Sequence, residues 1–221
     1  MENDKIKVFI IGAGIAGIAC AHRLLELNKN YDITIFEASD RYGGRLRSLK
    51  DFSNFAIELG GEEIHGDKTL YYELVKKSGG KIFGYWEKNI IYTQYKGELV
   101  SFEDSKIDEI TKVKDFFEDI SYEFNKDYED ITLREFLVKN NFSKEVYHMA
   151  NAMIGVEVGT DLDKASVWGF SDISKRWQAG EDNFLISNMS HMDVVEKSFP
   201  ESIKKIKLNV AIKNIIQKKI K

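Results

Sequence analysis

Residues 6–17, Ile-Lys-Val-Phe-Ile-Ile-Gly-Ala-Gly-Ile-Ala-Gly, decide the fold of this chain. The run up to Ile11 is short, apolar and rich in β-branched residues, which is typical of a strand buried on both faces. Small residues followed by leucines over residues 15–27 predict a helix packed closely on a sheet, and residues 32–36 predict a second strand. A strand, a helix and a strand within about thirty residues predict a right-handed βαβ unit with parallel strands.

Three glycines in this stretch, Gly12, Gly14 and Gly17, have the G-x-G-x-x-G spacing of a dinucleotide-binding turn, and Glu37 follows the second predicted strand. Gly12 permits a tight turn, Gly14 lets the backbone approach a pyrophosphate, and Gly17 allows the helix to pack closely on the sheet. Unpaired N–H groups at the helix start favour the anion, and Glu37 can accept hydrogen bonds from an adenosine ribose. The motif leaves NAD and FAD as alternatives. The other predicted cofactor contacts in the turn are Ala13, Ile15 and Ala16.

The residues after Glu37 separate these alternatives. They read Ala38-Ser39-Asp40-Arg41-Tyr42-Gly43-Gly44-Arg45, and this run resembles the E-A-x-x-R-x-G-G-R fingerprint of the flavin-containing amine oxidoreductases, the family of monoamine and polyamine oxidases. The resemblance implies FAD, held noncovalently. Two glycines let the chain pass beside a pyrophosphate and aim the Arg45 guanidinium at it. Arg41 either shares in that site or pairs with a surface carboxylate. The predicted contacts here are Glu37, Ala38, Gly43, Gly44 and Arg45.

A second segment, residues 57–66 (Ile-Glu-Leu-Gly-Gly-Glu-Glu-Ile-His-Gly), resembles the E-L-G-x-x-x-I/V-H-G segment of the same family. The resemblance implies that this backbone runs beneath the flavin ring. Glu63 stands where the family commonly has an aromatic residue, which would alter packing and redox electrostatics at the flavin. His65 matches a position near the substrate in polyamine-oxidase-like members; the alternative is a hydrogen-bonded structural histidine. The cofactor contacts predicted in this segment are Gly60, Gly61 and Glu62.

The rest of the chain predicts an α/β protein in which a Rossmann-like FAD-binding domain, with a parallel sheet and the βαβ unit, is interrupted by a helix-rich α+β second domain. Helical spacing marks residues 70–77 and 105–142, short strands are expected over residues 81–102, and residues 206–212 alternate as a strand does. By resemblance, Ile212 lies where relatives have the valine that meets the FAD adenine. The predicted FAD-binding domain comprises residues 1–67 plus about 195–221, and the second domain residues 68–194.

Composition limits the partners. A net charge of −4 and a pI near 5.7 argue against broad attraction to nucleic acid or anionic membranes, and charged residues interrupt every apolar run that could span a membrane. The one cysteine, Cys20, cannot form an internal disulfide and is interpreted as a small helix-packing residue; no cluster has metal-site spacing. The charged residues 1–7 do not read as a signal peptide, so we expect a cytoplasmic protein.

The resemblance implies an FAD-dependent oxidoreductase that oxidises a small-molecule amine by hydride transfer to the flavin. It extends specifically over residues 8–66 and covers only the first half of family members. We therefore expect a second polypeptide to supply the missing half, and we assign no catalytic residue. Two alternatives remain. One is a related flavin desaturase or protoporphyrinogen-type oxidase, and the other is a non-catalytic FAD-binding module or one half of a split flavoenzyme.

Overall fold

The structure is a computed structural model that describes residues 5–27, 30–84, 92–101, 106–122, 129–176, 180 and 182–217. Its strands are β1 (Ile6–Ile11), β2 (Tyr31–Phe36), β3 (Ser48–Leu49), β4 (Ile57–Glu58), β5 (Ile64–His65), β6 (Ile82–Gly84), β7 (Tyr92–Tyr95), β8 (Glu98–Ser101), β9 (Asn183–Ile186) and β10 (Ile206–Lys207). Its helices are α1 (Ile15–Leu27), α2 (Leu70–Lys77), α3 (Asp108–Tyr122), α4 (Leu133–Lys139), α5 (Lys144–Val158), α6 (Val167–Arg176), α7 (His191–Ser198) and α8 (Pro200–Ile203). None of the helices in these ranges is long and apolar enough to cross a membrane.

The chain divides into two compact units, one of residues 1–86 and 179–221 and the other of residues 87–178. The predicted boundaries, at residues 67/68 and about 194/195, differ from these. The physical reason is a shared core, in which Ile64 of β5, Val75 of α2 and Val194 of α7 are buried together. The residues on either side of the second unit therefore pack with the first unit.

The predicted βαβ unit is present in the first unit. β1 and β2 pair in parallel, from Ile6 opposite Tyr31 to Ile11 opposite Phe36, and β10 pairs in parallel with the other edge of β2. Helix α1 covers one face of this sheet, where Ala21, Ile33 and Ile35 are buried. Cys20 is exposed on α1, so the interpretation of Cys20 as a helix-packing residue was wrong.

The strand predicted over residues 206–212 is much shorter than its alternating pattern indicates. Only Ile206 and Lys207 pair with β2. Asn209 adopts a φ of +60°, a left-handed conformation that a strand cannot continue through. The N–H groups of Asn209 and Val210 donate instead to the carbonyls of Ser39 and Glu37, at 2.9 and 2.8 Å.

The remainder of the first unit surrounds this sheet. β3 and β4 form an antiparallel pair, and β5, β9 and β6 form an antiparallel sheet in that order. The predicted helix over residues 70–77 is α2, whose first turn is capped by the Thr69 hydroxyl. Helix α7 begins with a capping box, because Ser190 accepts from the Asp193 N–H and the Asp193 carboxylate accepts from the Ser190 N–H.

The second unit has its own core. Strands β7 and β8 form an antiparallel pair, and the predicted helical stretch contains α3 and α4. Thr132 and Glu135 form the predicted capping box at the start of α4, which places Leu133 and Leu137 in the core. Part of the strand-rich stretch predicted over residues 81–102 lies outside the described residues.

Candidate cofactor site

The first glycine turn joins β1 to α1 and leaves an open helix terminus. Gly12 has a φ of +95°, and its N–H donates to the Phe36 carbonyl at 2.7 Å, which ties the turn to β2. A side chain at Gly17 would collide with the Gly12 carbonyl, so only glycine lets the helix start this close to the turn. The N–H groups that precede the helical hydrogen bond from Ile18 to Gly14 have no partner within the helix, and these belong to Ile15, Ala16 and Gly17.

The second glycine pair packs directly against this turn. The Gly43 N–H donates to the carbonyl of buried Ala13 at 2.8 Å. Gly44 has a φ of +62°, and a Cβ there would come within 3.0 Å of the Gly14 Cα. The two glycine-rich segments therefore form one surface of bare backbone at the start of α1, which a bulkier residue at either position would separate.

Glu37 lies at the rim of this surface and is strongly hydrogen-bonded. Its Oε1 accepts from both the N–H and the hydroxyl of Ser39, at 2.9 and 2.8 Å, and its Oε2 accepts from the Ala13 N–H at 2.8 Å. The Ser39 and Ala13 backbone donors, with the Ser39 hydroxyl, hold the pKa of the Glu37 carboxyl below its ordinary value. Glu37 is therefore ionised at neutral pH.

The two arginines of the second glycine segment have different roles. The Arg41 guanidinium donates to the carbonyls of Gly44 and Leu46, at 2.9 and 3.2 Å. It pairs with no carboxylate in the described part of the chain, and instead it holds the turn that contains Gly44. The Arg45 side chain is exposed and makes no hydrogen bond or ion pair with the described residues, so its guanidinium is available to an anion.

The segment predicted to approach the flavin runs alongside Arg45. The Leu59 N–H donates to the Arg47 carbonyl at 2.7 Å, and the Gly61 N–H donates to the Arg45 carbonyl at 3.2 Å. A side chain at Gly60 would collide with that same Arg45 carbonyl. Gly60 is therefore required for this close pairing of backbones, and both glycines stand next to the arginine that faces the pyrophosphate in our prediction.

His65 is held by a neighbour on the next strand. Its Nδ1 lies 2.8 Å from Oδ1 of Asn183 in β9 and 3.7 Å from Oε2 of Glu63, and about half of the side chain is exposed. Because an amide oxygen only accepts, Nδ1 carries the proton in this hydrogen bond. The contact matches the structural alternative for His65, and its predicted place near a substrate stays a prediction.

Ile212 lies beyond β10, outside any strand or helix, and is 39% exposed. The residue that the structure brings to Glu37 is Val210, whose N–H donates to the Glu37 carbonyl. The sequence analysis missed Val210. Asn209 could have indicated the turn, because asparagine tolerates the left-handed conformation.

Helix α7 was also missed, although its first residues support the segment around Gly60. His191 is buried, its Nε2 lies 2.8 Å from the Glu62 carbonyl, and its Nδ1 lies 2.7 Å from the Tyr71 hydroxyl. The His191 N–H donates to Oε1 of Glu58 at 2.9 Å. The Ser190-x-x-Asp193 pattern was the available signal, since it is a helix-start signature.

Known proteins resemble this chain in both sequence and fold. It is 47% identical over 72 residues to a coproporphyrinogen III oxidase of Staphylococcus aureus. The matched segment covers 33% of this chain and 15% of that protein. It is 34% identical over 80 residues to a probable polyamine oxidase of Arabidopsis thaliana, covering 35% and 15%. The solved cyclohexylamine oxidase from Brevibacterium oxydans superposes with a TM-score of 0.71 at 18% identity, covering 93% of this chain and 51% of that one.

At 18% identity the likeness to the solved structure shows a shared fold, and the chain spans about half the length of that relative. The family model is more specific. The model described as flavin containing amine oxidoreductase matches residues 15–155, more than half of the chain, and this range contains Gly17, Glu37, the Gly43–Gly44 pair and Arg45. The chain therefore belongs to the family of flavin containing amine oxidoreductases.

Proposed function

We propose that this chain holds FAD noncovalently in a Rossmann-like domain that a helix-rich second domain interrupts. The observation that carries the proposal is the contact between the two glycine segments, in which Gly44 meets Gly14 at the open start of α1. This surface offers backbone N–H donors and no side chain that would keep a pyrophosphate away. NAD sites share the first glycine turn, whereas the second glycine segment belongs to the flavin family that the chain matches.

The residues present fit the adenosine half of such a cofactor. The free N–H groups at the start of α1 and the Arg45 guanidinium would face the pyrophosphate, and Glu37 would face the ribose. A carboxylate has about four acceptor sites, and three of those of Glu37 are used. The Ser39 hydroxyl also lies 2.8 Å from the Arg41 carbonyl. It can turn to that carbonyl and leave Glu37 a second site, enough for two ribose hydroxyls.

The reaction that we propose follows from the family. When bound, FAD would accept a hydride equivalent from the carbon next to the nitrogen of a small-molecule amine. The contribution of this chain is to bind and orient the cofactor. The Gly61 N–H donates to the Arg45 carbonyl, so the segment Gly60–Glu62 lies beside Arg45, and this segment would meet the flavin ring. His65, three positions after Glu62, is the candidate nearest the substrate.

One observation favours a second enzymatic function. The relative with 47% identity is a coproporphyrinogen III oxidase, and its similarity to this chain extends over 72 residues. A related flavin desaturase or protoporphyrinogen-type oxidase is therefore the alternative to an amine oxidase. A non-catalytic FAD-binding module is a third candidate, because the chain spans about half the length of the solved relatives it matches.

We also propose that further polypeptide, on this chain or on a second one, completes the fold in the cytoplasm. β1 is the edge strand of the sheet that the described residues form, and Phe9 and Ile11 on it are 63% and 55% exposed. Parallel sheets are ordinarily covered on both faces, and doubly wound sheets commonly place a fourth strand beside the first. The uncovered Phe9 face fits such an addition.

The test uses the purified chain loaded with FAD. A visible flavin absorbance spectrum after removal of free FAD supports the cofactor, and its absence contradicts it. Anaerobic bleaching by one member of a panel of primary amines and polyamines supports amine oxidation, whereas bleaching by a porphyrinogen alone supports the alternative. A loaded chain that neither substrate bleaches is a binding module, which would contradict the proposed reaction and leave the cofactor assignment standing.

A further inference from the structure

A buried histidine outside the predicted motifs lies under the segment that would meet the flavin. His191 is 3% exposed, and both of its ring nitrogens are hydrogen-bonded to groups from other parts of the chain. The Tyr71 ring of α2 stacks on the imidazole, with ring centroids 5.5 Å apart and an angle of 22° between the planes. Both the position and the orientation of the imidazole are therefore determined.

The partners of His191 select one tautomer. The Glu62 carbonyl can only accept, so Nε2 carries a proton and donates to it. Burial, with a smaller contribution from the Glu58 charge, raises the pKa of the Tyr71 phenol, so Tyr71 stays protonated. With the single imidazole proton on Nε2, Nδ1 accepts from the Tyr71 hydroxyl. Tyr71 thereby directs the single imidazole proton toward the Glu62 carbonyl.

The carbonyl that His191 holds belongs to the residue directly after Gly60 and Gly61. Those glycines carry no side chains that could fix them, and Gly61 pairs with Arg45 through a single N–H. The His191 backbone adds a second attachment, because its N–H donates to Glu58, whose other oxygen accepts from the Ser48 hydroxyl at 2.7 Å. The start of α7 thus anchors this segment on both sides of the two glycines.

We infer that His191 is a positioning residue for the flavin ring: its Nε2–H, directed by Tyr71, sets the Glu62 carbonyl and with it the Gly60–Gly61 backbone. The inference rests on the proposed function, since it assumes that this segment meets the flavin. It makes a specific prediction, because among the described residues the hydrogen bonds and ring contact of His191 go to Glu58, Glu62 and Tyr71, and none goes to residues 12–45. Loss of the imidazole donor should weaken binding of the flavin half and leave the adenosine half unchanged.

The experiment compares FAD with ADP, which occupies only the adenosine half. The full chain is titrated with each, by flavin fluorescence for FAD and by calorimetry for ADP. His191→Gln can place an amide N–H near the Nε2 position, whereas His191→Asn reaches Tyr71 but not Glu62. Tyr71→Phe removes only the hydroxyl that selects the tautomer. His148→Asn, at an exposed position in the second unit, is the matched control.

We expect His191→Asn to lose about tenfold in FAD affinity and to shift the visible spectrum of bound FAD, with unchanged ADP affinity. His191→Gln should restore most of the FAD affinity, and Tyr71→Phe should fall between the two. Equal FAD affinity in His191→Asn and wild type, or equal losses for FAD and ADP, would overturn the inference. A wild-type chain that fails to bind FAD would instead refute the proposed function. Failure of the inference is seen only in the His191→Asn variant, with a wild type that binds FAD.

Discussion

The contact between Gly44 and Gly14 makes a sharp prediction for Gly44→Ala. Gly44 has a φ of +62°, where an L-residue costs about 1–2 kcal/mol relative to glycine. The added Cβ would also lie 3.0 Å from the Gly14 Cα. Carbon atoms in contact prefer about 3.5–4.0 Å, so the two glycine segments must move apart by roughly half an ångström.

These two effects have different consequences. Backbone strain lowers the free energy of unfolding by about 1–2 kcal/mol and leaves the geometry of the folded site unchanged. Separation of the segments moves the Gly14 backbone, against which a pyrophosphate would lie. Charge-assisted hydrogen bonds weaken when their donors shift, and a loss of about 1.4 kcal/mol corresponds to tenfold in affinity. We therefore expect Gly44→Ala to lower both stability and FAD affinity, the latter by about tenfold.

Gly159→Ala is the control that separates the two effects. Gly159 ends α5 with a φ of +68°, close to that of Gly44, and a Cβ there would meet nothing within 4 Å. Both variants should lose similar stability in urea denaturation, and only Gly44→Ala should lose affinity in FAD and ADP titrations. Equal affinities in the two variants would refute the reasoning that this contact shapes the pyrophosphate site.

Four further predictions test other parts of the site. Glu37→Ala should weaken FAD and ADP to a similar extent in the same titrations, by about 1.5–3 kcal/mol, because the charged acceptor for the ribose is lost. The pKa of Glu37 is lowered in the folded chain, so its contribution to stability is complete above the ordinary value of 4.5 and is lost as the pH falls through the lower folded value. In urea denaturation, the free energies of unfolding of wild type and Glu37→Gln should therefore differ by a constant amount above pH 4.5 and converge below it. Arg41→Ala should lower the free energy of unfolding by about 1 kcal/mol, discounted for exposure, and Arg41→Lys by less, since lysine can satisfy one of the two carbonyls. Phe9→Glu should lower the free energy of unfolding in urea by less than about 1 kcal/mol and leave FAD affinity unchanged, because Phe9 is exposed, and a loss as large as that of a core substitution would contradict the exposure of the β1 face.

The parts of the fold that the sequence predicted are those whose signals are local. The first turn and its helix follow from glycine spacing and apolar periodicity within 30 residues, and the capping box at Thr132 follows from two residues three positions apart. The prediction of a strand over residues 206–212 was wrong in length, because alternating apolar and polar residues indicate which face a side chain would occupy and not whether a partner strand is present. β2 offers pairing to Ile206 and Lys207 only.

The same distinction applies to the site. Glu37, Gly43 and Gly44 are motif positions whose residue types are required by contacts close in sequence. Arg41 was predicted as a residue of the segment, but its partners are backbone carbonyls, which no side-chain pattern identifies. The Ser190-x-x-Asp193 pattern could indicate the helix that begins at His191, but nothing in the sequence indicated the contacts of His191, because its partners Glu62 and Tyr71 lie 129 and 120 positions earlier in the chain.

This difference in sequence distance separates the two halves of the site physically. The hydrogen bonds among Ala13, Glu37, Ser39 and Gly43 in the adenosine half lie within residues 12–45, so they close short loops and can form early in folding. Later segments pack on this half as well: Val210 donates to the Glu37 carbonyl, and Val195 of α7 packs with Ile18 of α1. The segment with Gly60 and Gly61 is fixed by α7, which the chain reaches only after it has passed through the whole second unit. Any change that weakens the return of the chain to α7 should therefore act first on the flavin half. Weaker contacts of α7 should therefore shift the Glu62 carbonyl through His191, whereas the short-range hydrogen bonds of Glu37 and Gly43 to Ala13 remain.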